Sequence, residues 1–174
     1  MKIGLLLLLA AAAGCAGDRT PGQERVGDLS DRSYFGARGN ERVSASGRTM
    51  RMEQFEGHFV WVDYAAPWCS PCNSQAPTIR ELEAAATDDV VFLTIMTSDM
   101  GGYGDPATRS TAESWATRHG LDPAHVLAAD LTSVTVPRHI LFSPEGQMLF
   151  LKTGTMSAGE IRDVIARSVA DWRG

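Results

Sequence analysis

Two cysteines three positions apart, Cys69 and Cys72 in the run Trp68-Cys69-Ser70-Pro71-Cys72, are the residues of this chain best suited to do chemistry. An ordinary thiol, with a pKa of about 8.5, is only a few per cent ionised at neutral pH. A cysteine placed where a strand gives way to a helix faces unpaired backbone N–H groups and the positive end of the helix dipole, and both favour its thiolate. Cys69 occupies that place if a strand precedes it and a helix follows. Cys72 would then sit one turn further on, where it can attack a mixed disulfide formed at Cys69, so attack and resolution form a reversible cycle. The pair alone also fits an inert bond or half of a zinc site. Zinc needs two further ligands, and His58, His119, His125 and His139 show no paired ligand spacing. Copper held by cysteine with histidine or methionine is a further reading, although the methionines are equally well explained as core residues.

The elements that must position the pair can be read from periodicity. The run Phe59-Val60-Trp61-Val62-Asp63-Tyr64 is continuously apolar with one acid inside it, as a central buried strand would be. Before it, residues 42–46 and 49–52 flank Gly47-Arg48 as a short hairpin. After the cysteines a helical pattern runs to Ala86 and contains Pro77, which predicts a kink. Residues 90–97 form the next strand, a glycine-containing loop follows, and the capping box Ser110-Thr111-Ala112-Glu113 starts a helix that ends at Gly120. The loop glycines lack the lysine and the spacing of a phosphate loop. A short strand over 126–129, a hairpin of 139–142 with 148–152, and a helix capped at Ser157 complete the chain. In that helix Ile161, Val164, Ile165, Val169 and Trp172 fall on one side. The order predicts an α/β domain with a central mixed sheet and helices on both faces. His139 reads as a surface or strand residue rather than a catalyst.

The N-terminus suggests export. Met1-Lys2 precedes the apolar stretch 3–13, which is too short to span a bilayer and ends in Ala12-Ala13-Gly14-Cys15. This resembles a bacterial lipoprotein signal, in which the cysteine is acylated, and two or more acyl chains anchor stably. The expected organisation is a signal over 1–14, a lipid anchor at Cys15 with a tether over 15–40, and one domain over 41–174. Ala16 after Cys15 would suggest outer-membrane sorting under the usual rule. With Cys15 lipidated, one cysteine pair remains, facing an oxidising compartment. A formal net charge of -5 without a basic run argues against nucleic-acid binding.

Taken together these residues resemble the thioredoxin superfamily, and especially its exported TlpA/ResA-type members, over roughly 42–174. Trp68-Cys69-Ser70-Pro71-Cys72 is similar to the family's Trp-Cys-x-x-Cys motif, and Pro77 falls at its helix-kink position. Asp63, six residues before Cys69, matches the family's buried acid. Val136-Pro137 resembles its cis-proline, and Gly154 with the helix after Ser157 matches its closing strand and helix. The resemblance implies a thioredoxin-like fold and a thiol–disulfide oxidoreductase without a cofactor, acting on protein disulfides or dithiols. Cys69 would attack, Cys72 resolve, and Asp63 pass a proton to or from the Cys72 sulfur. Trp68, Val136 and Pro137 would line the substrate groove, where a substrate chain could add main-chain hydrogen bonds as an extra strand. Reduction is the favoured direction and would draw electrons from a membrane thiol donor, with oxidation or isomerisation as alternatives. The competing reading is a non-catalytic thioredoxin-fold lipoprotein that binds a protein partner or copper. Two departures bear on the groove and on specialisation. Only six residues separate Asp130 from Pro137, where TlpA/ResA-type proteins carry a longer segment with a short helix. Gln75 stands where some cytochrome-maturation members carry glutamate.

Overall fold

The computed structural model describes residues 41–99, 104–132 and 134–174. The expected signal, tether and lipidation site at Cys15 lie outside the described residues. One mixed sheet organises the rest. Its strands are β1 (Glu41–Ser44), β2 (Thr49–Arg51), β3 (Phe59–Ala65), β4 (Val90–Met96), β5 (Val126–Ala128), β6 (Arg138–Phe142) and β7 (Met148–Thr153), in the spatial order β2-β1-β5-β4-β3-β6-β7. β3 pairs parallel with β4 and antiparallel with β6, so it lies at the centre, and all seven of its residues are buried. That accounts for its unbroken apolar run, since a strand buried on both faces shows no polar alternation.

Three helices connect and close the sheet: α1 (Ser70–Ala84), α2 (Arg109–His119) and α3 (Ala158–Arg173). Their starts follow from side-chain caps. Ser157 Oγ accepts from the Glu160 N–H while Glu160 reaches back to the Ser157 N–H, as the sequence predicts for α3. For α2 the box lies two residues earlier than the predicted Ser110. Thr108 and Thr111 exchange the reciprocal bonds, and Glu113 instead pairs with Arg109 at 2.6 Å. A threonine at the third helical position can serve this role because its hydroxyl also accepts. α2 ends where Gly120 adopts φ 68°, a left-handed conformation in which a side chain would be strained.

The mixed sheet and its helices are as expected, but the helices are unevenly placed. The connections β3–α1–β4 and β4–α2–β5 step the same way across the sheet, and right-handed crossovers then put both helices on one face. Ile79, Leu82, Ala112, Trp115, Ile161 and Val164 accordingly share one core with Trp61, Phe92 and Leu141. The opposite face, with Val62, Tyr64, Leu93, Ile95 and Ile140, carries the short 3-10 helix Met52–Phe55 and residues such as Leu131 and Val134. Six residues between Asp130 and Pro137 leave no room for a crossover helix there, and none is present among the described ones.

Outside the site, Glu83 near the end of α1 binds the turn that leads to β5. Its carboxylate lies 2.9 Å from His125 Nδ1 and accepts the Asp122 N–H. The hydrogen bond that the His125 ring donates to the Glu83 carboxylate raises the His125 pKa above its usual value. A raised histidine pKa gives stability that is complete below about pH 6.5 and is lost as pH rises through the higher folded value. Glu83→Gln should therefore lower the melting temperature by about 2–4 °C at pH 5.5, and by clearly less at pH 9, in thermal scans. The pair is partly exposed, which holds its contribution to about 1 kcal/mol or less.

Candidate active site

β3 ends at Ala65, and a four-residue turn places Cys69 at the N-cap of α1. Cys69 and Cys72 are joined as a disulfide, S–S 2.05 Å. Cys69 Sγ accepts the Cys72 backbone N–H at 3.2 Å, which is the N-capping bond that a serine or aspartate would normally make. The first turn of α1 holds no acidic residue, so nothing there opposes the helix dipole. A thiolate released at Cys69 would keep this bond and face that dipole. Both cysteines are buried, Cys69 at 4% exposure and Cys72 at 0%.

The other predicted site residues fall as follows. Trp68 is half-buried, packs on the core that contains both cysteines, and donates its indole N–H to Ser98 Oγ at 2.9 Å. The Val136–Pro137 peptide bond is cis, Val136 packs on the same core, and the Pro137 carbonyl accepts the Gly154 N–H. Asp63 is 1% exposed, on the face of β3 that also turns Trp61 and Ala65 toward the cysteines. A carboxyl so buried needs a partner, and the partner is one that sequence reasoning placed elsewhere. His139 is in a strand as expected, but wholly buried rather than at the surface, directly opposite Asp63 in the β3–β6 ladder. Its Nδ1 lies 3.0 Å from Asp63 Oδ1, bent from ideal hydrogen-bond alignment, and its Nε2 lies 3.0 Å from the Gly154 carbonyl. Trp61 stacks on the ring at 5.7 Å. The signal available in the sequence was a second polar residue inside a second apolar run; pairing the two runs would have set Asp63 against His139.

Gln75 is buried as well. Its amide donates to the Met156 carbonyl at 2.9 Å and accepts the Met156 N–H at 2.8 Å, tying α1 to the turn before α3. A carboxylate could not make the donating half of this pair. Among the described residues, no three His, Cys, Asp or Glu side chains are grouped to hold a metal ion, and no helix is long and apolar enough to cross a membrane.

Comparison with known proteins places this arrangement. The Thioredoxin family's sequence model matches residues 50–102, a segment that contains both cysteines and Asp63. No curated protein sequence matches significantly. Among solved structures, the exposed lipoprotein thioredoxin Etrx1 of Streptococcus pneumoniae superposes with a TM-score of 0.59 at 24% identity, covering 73% of this chain and 97% of that one. A secreted disulfide oxidoreductase of Mycobacterium tuberculosis, homologous to Escherichia coli DsbE, gives 0.58 at 21% identity over 73% and 94%. StoA of Bacillus subtilis gives 0.56 at 16% identity over 72% and 94%. The fold is therefore thioredoxin-like, and the Cys69–Cys72 disulfide lies within the segment that the family's model matches.

Proposed function

We propose that this thioredoxin-fold chain is an extracytoplasmic thiol–disulfide oxidoreductase that exchanges disulfides with protein substrates through Cys69 and Cys72. The observation that carries this reading is the disulfide at the N-cap of α1, in which Cys69 is the marginally more exposed of two buried cysteines. In the reducing direction, the Cys69 thiolate attacks a substrate sulfur and the first substrate thiolate leaves. Cys72 then gives up its proton, attacks Cys69, and releases the second. Asp63 is the proton acceptor in this reading. Trp68, Val136 and Pro137 form the surface against which the substrate chain lies.

Export and anchoring complete the proposal. The signal-like residues 1–14 and Cys15 support a lipoprotein facing the periplasm, with 15–40 as tether and 41–174 as the working domain. The likeness to an exposed lipoprotein and to a secreted oxidoreductase supports the same location. Reduction is the preferred direction, with electrons from a membrane thiol donor. Equilibration of the purified protein with glutathione buffers tests the core of the reading: a reversible two-electron conversion of one disulfide to one dithiol is expected.

A further inference from the structure

The turn that delivers Cys69 to its helix is held by a side chain of that same helix. Ala66-Pro67-Trp68-Cys69 is a tight turn closed by the Cys69 N–H on the Ala66 carbonyl at 3.1 Å, with proline in the second position that such turns favour. The Pro67 carbonyl takes no part in that bond and needs another donor. Asn73, the fourth residue of α1, supplies it. Helical side chains lean back toward the N-terminus, so a short amide one turn into the helix reaches the residues before the cap. The Asn73 Nδ2 donates to the Pro67 carbonyl at 3.0 Å and to the Cys69 carbonyl at 2.9 Å. Both partners can only accept, so the nitrogen of the amide rather than its oxygen must face them, and both of its hydrogens are used.

We propose that Asn73 is a positioning residue for Cys69: its two hydrogen bonds clamp the turn to the helix and keep the sulfur against the Cys72 N–H once the disulfide has opened. This rests on the oxidoreductase reading above and adds what holds the attacking cysteine in place through the cycle. In the oxidised protein the S–S bond itself ties Cys69 to Cys72. Reduction removes that tie, and in a mixed disulfide Cys69 is bonded to substrate instead. What then spans the cap is the turn bond, the first helical bond from the Asn73 N–H to the Cys69 carbonyl at 3.1 Å, and the clamp, which joins Pro67 to α1. A thiolate at the N-cap is stabilised by the N–H that it accepts and by the helix dipole, so a turn free to drift loses part of that stabilisation.

The ionisable groups around the turn are independent of this residue. Asp63 of β3 and His139 of β6 face each other in the sheet beneath, and Asp99 and Arg118 line a cavity beside Pro67. Lys152 of β7 is paired with Glu160 of α3, and the first turn of α1 holds no acid. A change confined to Asn73 therefore reports the clamp.

The test is the pH profile of alkylation by iodoacetamide at Cys69 in the reduced full chain, read by mass spectrometry of the Cys69 peptide. Asn73→Leu keeps the size of the side chain and removes both donors, and should move the profile up by about one pH unit. The rate at pH 7 should then fall about five- to tenfold and return to that of the wild type above about pH 9.5. Asn73→Asp should move the profile further, since its charge also opposes the thiolate. An unmoved profile in Asn73→Leu, or a rate lowered by the same factor at every pH, overturns the proposal. Thermal scans separate positioning from general support of the fold. Asn73→Ala should lower the melting temperature more in the reduced protein than in the oxidised one, where the disulfide holds the turn. Equal losses in the two states overturn the proposal as well. Should the wild type fail to cycle with glutathione, the oxidoreductase reading falls, while the alkylation profile, which needs only the free thiol, still decides the clamp.

Discussion

Cys72→Ser should convert the protein from a turnover catalyst into a trap. Cys69 sits at the helix N-cap with its sulfur capped by the residue 72 N–H, a backbone donor that serine retains, so the attacking thiolate survives the substitution. The sulfur that would release it is gone. Attack from within the same helical turn benefits from a large effective concentration, whereas an external thiol is present at millimolar levels. Turnover with insulin should fall on the order of a thousandfold. A disulfide-linked adduct at Cys69 should accumulate and disappear on adding reductant, as followed by non-reducing electrophoresis and mass spectrometry. Cys69→Ser should lose turnover and form no adduct, because Cys72 is wholly enclosed. Equal trapping by both variants would contradict the assigned order of attack.

Trp61→Ala should give the largest loss of stability. Trp61 is 0% exposed at the centre of β3, with ring centroids 5.7 Å from His139, 5.9 Å from Phe150 and 6.4 Å from Phe92. Removing it leaves a cavity on the face where all three helices pack, at a cost of about 3–5 kcal/mol. Domains of this size are stable by only about 5–15 kcal/mol. The urea midpoint should therefore fall steeply with little change in slope. Trp61→Phe should cost much less. It keeps an aromatic ring against His139, and the indole N–H that it deletes has no hydrogen-bond partner in the core.

The strands and helices around the site were legible because each carries a local signal. The unbroken apolar run of β3, the glycine that ends α2 and the Ser157–Glu160 box all act over a few residues. The α2 start was misplaced because two overlapping candidate boxes, Thr108 with Thr111 and Ser110 with Glu113, look alike until the backbone shows which one bonds. The placing of all three helices on one face depends on strand order, a property of the whole sheet rather than of any segment. His139 was missed for the same reason. Its partner lies 76 residues earlier, and only the β3–β6 register brings them together. The cysteine pair itself needed no tertiary knowledge, whereas the Asp63–His139 contact did.

The central claim, that Cys69 and Cys72 are a working redox couple, is tested most directly by titrating the purified protein through a series of glutathione ratios and counting free thiols. The account predicts one reversible transition, two thiols gained per molecule, absent in Cys69→Ser and Cys72→Ser. A bond that opens only after denaturation, or a cysteine pair that takes up metal in fixed stoichiometry and does not cycle, would contradict it.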